Sequence, residues 1–288
     1  MCLAGKLALV TGGASGIGAG LTHELVARDV RVIIADIDQA GAEKVARSAG
    51  NGTIAMTVDV SSIDSIDELA ERVRTEVGEV DLVFANAGVS AASPLLDATP
   101  EAFDWQFAVN IRGVWALAKA FLKPMIAAKR PGQFVITASE HALGLQHTGV
   151  GIYTSTKHAA LGLAEVLRAE TPDTIQVSVF CPGLVTTRLH DAARFGVVSE
   201  AAEDLKAIGE AISAKGMSAK IVAKMAIDGV ERGDFFIVTH PTAFSAAQKR
   251  FAELGQAFSA QAPMTEEARK YDMNTIIAEF LAQRESPF

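Results

Sequence analysis

Lys6-Leu-Ala-Leu-Val-Thr-Gly-Gly-Ala-Ser-Gly-Ile-Gly18 decides how this chain folds. Leu7, Leu9 and Val10 form a short apolar run closed by glycines, the mark of a buried strand, and a helical pattern over 19–28 follows at once. A strand that turns directly into a helix leaves backbone N–H groups unpaired at the positive end of the helix dipole. With no Cβ at Gly12, Gly16 and Gly18, a pyrophosphate can approach those groups, and Ser15 and Ile17 lie in the same turn. The spacing is Gly-x-x-x-Gly-x-Gly rather than Gly-x-Gly-x-x-Gly, and an isolated glycine cluster of this kind is equally compatible with a plain surface turn. What lies downstream separates the two.

Eighteen residues past Gly18, the apolar run Arg31-Val-Ile-Ile-Ala-Asp36 ends in a carboxylate, followed by Ile37. At the end of a second strand in a dinucleotide fold, that carboxylate accepts hydrogen bonds from the adenosine ribose and repels a 2′-phosphate, which favours NAD over NADP. The alternation continues with a helix over 39–49, a strand over 53–58, a helix over 63–77 and a strand over 81–85. Asn86-Ala87-Gly88 then offers an amide that can tie adjacent strand ends and a glycine that can admit a ligand. Thr99-Pro100-Glu101 starts a helix with a cap hydroxyl, a proline at the first helical position and an early acid, and the apolar pattern carries this helix to about Lys129. Asn110 lies inside it between Val109 and Ile111, an unusual setting for an amide without a specific partner.

A strand over 133–137 leads to Ser139. Tyr153 and Lys157 then stand at i and i+4 on a helix running to about Thr171, so both side chains lie on one face. A phenol of ordinary pKa near 10 becomes a usable acid and base when an ammonium close by favours its ionised form. A strand over 175–180 reaches Cys181-Pro182-Gly183, helices are expected over 199–214 and 218–232, and a last strand is expected over 234–238. The rest of the chain reads as helical, with Phe244, Phe251 and Phe258 seven residues apart. We see no repeat, linker or second glycine-rich motif, so the expectation is one catalytic domain, with substrate-side segments at about 184–217 and a helical extension at about 241–288.

Composition narrows the class. A net charge of -8 gives no basic surface for nucleic acid. The cysteines Cys2 and Cys181 form no Cys-x-x-Cys pair, and His141 and His147 have no recognised ligand spacing, so no metal is expected and these histidines are assigned to substrate or solvent. No apolar run approaches the roughly 18 residues of a membrane span, and the chain reads as cytoplasmic.

Together these motifs resemble the short-chain dehydrogenase/reductase family over about residues 5–240: Thr-Gly-x-x-x-Gly-x-Gly is Thr11 to Gly18, Asn-Ala-Gly is Asn86 to Gly88, and Pro-Gly-x-Val-x-Thr is Pro182 to Thr187. The resemblance implies a Rossmann-type doubly wound α/β fold, with a mostly parallel seven-stranded sheet covered by helices on both faces. It implies Asn110, Ser139, Tyr153 and Lys157 as a catalytic tetrad. Tyr153 would exchange the proton at the substrate oxygen, Ser139 would hydrogen-bond that oxygen, Lys157 would bind the nicotinamide ribose and lower the Tyr153 pKa, and Asn110 would hold a relay water. By the same resemblance Asp59 and Val60 hold the adenine, while Val185 and Thr187 hold the nicotinamide end. The reading is an NAD-dependent oxidoreductase acting on a secondary alcohol or ketone of apolar or aromatic character, working as a homodimer or homotetramer. More weakly, 151–163 and 181–187 look like bacterial aryl-alcohol Cα-dehydrogenases. A cofactor-bound sensor or scaffold is the second class, disfavoured because all four tetrad positions are filled. A 3-oxoacyl-type reductase would favour NADPH and a basic patch, against Asp36 and the acidic balance. Two departures stand out: Glu140-His141 follows Ser139 where small residues are common, and the tail beyond Val238 exceeds the family's usual ending.

Overall fold

Seven strands, all parallel, form one sheet in the order β3-β2-β1-β4-β5-β6-β7 in a computed structural model that describes residues 2–189, 191, 211 and 214–285. The strands are β1 (Leu7–Thr11), β2 (Arg31–Asp36), β3 (Ile54–Thr57), β4 (Leu82–Ala85), β5 (Gly132–Thr137), β6 (Ile175–Cys181) and β7 (Phe236–Val238). Central strands buried on both faces need unbroken apolar runs, and β1, β4 and β5 are buried at every position. One cluster, including Leu9, Ile33, Phe134 and Val179, lies under one face of the sheet. A second, including Val10, Ile34, Phe84 and Phe180, lies under the other.

The crossover helices are α1 (Gly16–Val26), α2 (Gln39–Ala49), α3 (Ile63–Glu76), α4 (Pro100–Phe107), α5 (Gly113–Ala127), α6 (Gly151–Glu170) and α7 (Ala219–Arg232). Their starts follow side-chain chemistry: Ser62, Thr99 and Ser218 each accept a backbone N–H in the first turn of α3, α4 and α7. Strand order reverses between β1 and β4, which opens a crevice beyond their carboxyl ends. The glycine turn after β1 and Asn86 after β4 both meet there.

One expectation is corrected. The single helix over 100–129 is interrupted by a π turn at Ala108–Arg112, where the Gly113 N–H reaches back to the Ala108 carbonyl. The Asn110 amide is fixed from outside the helix by Val89, and Gly113 packs so closely on Val60 that a Cβ would sit 2.4 Å from the Val60 carbonyl oxygen. Tertiary contacts of this kind leave no period in the sequence. The helix expected over 199–214 lies, apart from residues 211 and 214, outside the described residues.

The chain divides into two compact units, 1–243 and 244–288. The second carries most of α8 (Ala243–Gln261), the short α9 (Glu266–Arg269) and α10 (Met273–Glu285). Among the described residues no helix is long and apolar enough to cross a membrane.

Candidate active site

The glycine turn is built around close backbone approaches. Gly12 and Gly16 have φ of +67° and +53°, which side chains rarely adopt, and a Cβ on Gly12 would lie 2.8 Å from the Ala87 Cα. Gly18 is tighter still, since its Cβ would stand 2.2 Å from the Gly12 carbonyl oxygen. Ser15 caps α1 in extended backbone without a side-chain hydrogen bond, and the first turn of α1 holds no acid. The positive helix end therefore stays available to an anion, so the turn fits a dinucleotide pyrophosphate. Ile17 packs beneath it against the apolar cluster, and the Thr187 methyl group lies against Gly16.

Asp36 has a task that sequence reading missed. Its Oδ2 accepts the Ala14 N–H and its Oδ1 accepts the Asp38 N–H, both at 2.9 Å, so the carboxylate pins the glycine turn from the end of β2. Each oxygen keeps a second lone pair for another donor. Ile37 beside it is exposed, Asp59 accepts from both the backbone and the hydroxyl of Ser61, and Val60 is buried against Gly113. Asn86 donates from its side chain to the Thr11 carbonyl at 3.0 Å and accepts from the Thr137 hydroxyl at 3.4 Å, joining the ends of β1, β4 and β5 as expected. Val185 bridges Met217.

Across the crevice, Asn110, Ser139, Tyr153 and Lys157 are all buried and gathered at the carboxyl ends of β4, β5 and β6. The Asn110 side chain accepts the Val89 N–H and donates to the Val89 carbonyl, both at 2.9 Å, and it also donates to the Thr156 hydroxyl at 3.0 Å. The Lys157 ammonium donates to the Thr137 carbonyl at 2.9 Å and lies 5.5 Å from the centre of the Tyr153 ring. A Cβ on Gly88 would fall 3.4 Å from Lys157 Nζ, so this glycine keeps the space around the ammonium open. Thr156 and the Thr137 carbonyl were not foreseen. Thr156 could have been read from its place three residues after Tyr153, whereas a main-chain carbonyl leaves no sequence signal.

Electrostatics departs from the simple expectation for Tyr153. Burial pushes its phenol up to about 12, the hydrogen bond with Ser139 pulls it down, and the Glu140 carboxylate pushes it further up. Burial likewise pushes the Lys157 ammonium down to about 8. Desolvation is the largest of these influences, so the phenol moves up rather than down, against the expectation that Lys157 lowers it. Behind the pair, burial pushes the Cys181 thiol up to about 12.

Glu140 and His141, which follow Ser139, are both buried. The His141 Nδ1 is 2.8 Å from the Thr154 hydroxyl, which itself donates to the Val150 carbonyl, so Nδ1 carries the proton and donates. The His141 ring meets Tyr153 edge-on, with centroids 5.4 Å apart, and lies 5.1 Å from the ring of His147. Burial raises the Glu140 carboxyl above its usual range. Among the described residues no group of three or more His, Cys, Asp or Glu side chains could hold a metal ion.

A doubly wound parallel sheet, a glycine turn fitted to a dinucleotide and a buried Ser–Tyr–Lys cluster across the switch point define a nicotinamide-dependent oxidoreductase fold. The chain belongs to the short chain dehydrogenase family, whose pattern it matches over residues 6–196. It is 33% identical over 186 residues to a sorbitol dehydrogenase of Cereibacter sphaeroides, covering 64% of this chain and 72% of that one. Against a cis-2,3-dihydrobiphenyl-2,3-diol dehydrogenase of Pseudomonas putida it is 30% identical over 207 residues, 70% of this chain and 73% of that one. A short chain dehydrogenase/reductase of Burkholderia phymatum, solved with NAD, superposes with a TM-score of 0.83 at 26% identity, covering 92% of this chain and 99% of that one. Another solved structure on this fold, a short-chain dehydrogenase of Sphingobium yanoikuyae, is in complex with NADPH.

Proposed function

We propose that the protein uses NAD to interconvert a secondary alcohol and its ketone, with Tyr153 as the acid and base at the substrate oxygen. The observation that carries this reading is the buried cluster itself, in which a phenol hydrogen-bonded to Ser139 shares a helix face with an ammonium anchored on Thr137. The nicotinamide, when bound, gives or takes the hydride. Everything else falls to the chain. The glycine turn would receive the pyrophosphate and Asp36 the adenosine ribose, with Asp59 and Val60 beside the adenine. Pro182, Gly183, Val185 and Thr187 would flank the nicotinamide end.

For ketone reduction, the neutral Tyr153 phenol donates its proton to the substrate oxygen while Ser139 holds that oxygen in place. For alcohol oxidation, the proton travels the other way, and the Lys157 ammonium offsets the phenolate charge. Proton transfer of this kind contributes about 10² to 10⁴ in rate. Asn110 maintains the π turn and the β4 end against which Lys157 packs. The choice of NAD rests on Asp36, whose carboxylate would face a 2′-phosphate with like charge. The relatives named for a polyol and a cyclic diol support a carbinol substrate.

A homo-oligomer is part of the same reading. Phe103, Trp115 and Val166, on α4, α5 and α6, are exposed large apolar side chains that a second copy would cover. A panel of secondary alcohols with NAD, followed by absorbance of the reduced cofactor, tests the activity. Turnover of at least one alcohol is expected, and none across apolar, aromatic and polyol members would overturn the reading.

A further inference from the structure

The end of β7 brings a ring to the segment that follows β6. The two strands pair in parallel with Cys181 opposite Val238, so the chain leaves both at the same end of the sheet. Half-buried His240 follows there, and the reaction as described gives it no task. Its Nδ1 accepts the Gly183 N–H at 3.0 Å, and its Nε2 lies 3.0 Å from the Leu184 carbonyl. A carbonyl can only accept, so Nε2 carries the proton and two backbone groups fix the tautomer of the ring. The buried Thr239 hydroxyl lies 2.8 Å from the same Nδ1 and supports it from the other side. A Cβ on Gly183 would stand 2.5 Å from His240 Cγ, so glycine at this position is what lets the ring come so near.

The segment so held is fastened on both sides of the ring. Before it, the Pro182 carbonyl accepts the Glu140 N–H at 2.9 Å. After it, the Leu184 carbonyl also accepts the Met217 N–H at 2.9 Å, and the Thr186 N–H donates to the Met217 carbonyl at 3.1 Å. The bridge between Val185 and Met217 is thus made by the residues on either side of Val185. In a trans peptide the N–H points opposite to the C=O, and none of the peptide bonds is cis. A ring that holds the Leu184 carbonyl therefore also sets where the Val185 N–H points.

We propose that His240 is a positioning residue for the cofactor: by holding the Gly183 N–H and the Leu184 carbonyl it sets the backbone from Pro182 to Thr187, and through that backbone the affinity for the nicotinamide half of the dinucleotide. This inference rests on the oxidoreductase reading above, which puts that segment at the nicotinamide end. His240 acts through main-chain groups and needs no contact with the reacting atoms. The adenosine half falls to other elements, the glycine turn after β1 and Asp36 at the end of β2. Loss of the ring's two hydrogen bonds should therefore weaken one half of the cofactor and spare the other, whereas a general loosening of the fold would weaken both.

The test measures by calorimetry the binding of NADH and of ADP-ribose, which lacks the nicotinamide, to the wild type and to His240→Phe, His240→Asn and His240→Gln. Phenylalanine fills the ring's space without either polar group, asparagine keeps an acceptor near the place of Nδ1, and glutamine keeps a donor near the place of Nε2. In His240→Phe the NADH affinity should fall by about tenfold or more while that for ADP-ribose stays within about twofold of wild type. The asparagine and glutamine variants should each recover part of the loss. If His240→Phe does not fold, those two decide by the same ratio, each with a selective loss of about threefold for NADH. An NADH affinity left at the wild-type level in every variant would overturn the inference, and so would equal losses for both ligands, the result expected of a residue that only braces the fold. Either result leaves the oxidoreductase reading standing. A wild type that binds neither ligand would instead overturn that reading, and the inference with it.

Discussion

The two walls of the crevice are made of different materials. On the cofactor side, the wall is backbone: Gly12, Gly16 and Gly18 are chosen for the contacts their missing side chains allow, and Asp36 holds the turn by the Ala14 N–H. On the substrate side, the wall is buried polar side chain: Asn110, Ser139, Glu140, His141, Tyr153 and Lys157 sit in low dielectric, and Asn110, His141 and Lys157 are held by threonine hydroxyls and main-chain groups of neighbouring segments. A backbone wall fails by steric clash, whereas a polar wall fails by losing partners or by titrating. Substitutions on the two walls should therefore behave differently.

The sharpest break belongs to the cofactor wall. Gly18→Ala would place its methyl 2.2 Å from the Gly12 carbonyl oxygen and 2.8 Å from the Asn86 amide nitrogen, and a backbone oxygen cannot yield as a flexible side chain would. We expect NAD affinity by calorimetry to fall by about a hundredfold or more, with a stability loss of about 1–3 kcal/mol. Wild-type affinity in that variant would show that the turn does not carry the cofactor.

Asp36→Ala is the next step down. Removing like-charge repulsion worth a few kcal/mol should shift the NAD over NADP ratio of kcat/KM by about a hundredfold toward NADP. Because Asp36 also holds the Ala14 N–H, the variant should lose about 1 kcal/mol of stability as well. An unchanged cofactor ratio would leave Asp36 only its part in pinning the turn.

The polar wall should respond to pH. Oxidation needs the Tyr153 phenol to give up its proton, so kcat/KM for the alcohol should rise with pH above about 6. Lys157 loses its charge near 8, and above that point the phenolate loses its supporting cation, so the rise should level off or reverse. Ketone reduction, which needs the protonated phenol, should run highest at the acid end. Equal and flat profiles in both directions from about pH 6 to about pH 10 would contradict this division of protons.

The same contrast explains what could be read from the sequence. The cofactor wall was legible because glycines and strand-end acids are punctuation, and the bounds of α2 and β2 fell where the pattern put them, at Gln39–Ala49 and Arg31–Asp36. Tyr153 and Lys157 shared a helix face as their spacing required. The π turn at Asn110 was not legible, since its cause is the Val89 backbone on another segment. Nor was the direction of the Tyr153 shift, which depends on how completely the fold excludes water. The second hydrogen bonds of Asp36 and those of His240 with Gly183 and Leu184 are likewise facts of packing, and no spacing rule reports them.

The central claim is that Tyr153 moves the substrate proton and adds little to cofactor binding. Tyr153→Phe, assayed with NAD and an alcohol that the wild type oxidises, removes one hydroxyl and keeps the ring that meets His141 and Lys157. The account predicts a kcat lower by about 10² to 10⁴, with NAD affinity within a few-fold of wild type. A variant that keeps more than about a tenth of the wild-type kcat, or that loses turnover only because NAD no longer binds, would contradict it.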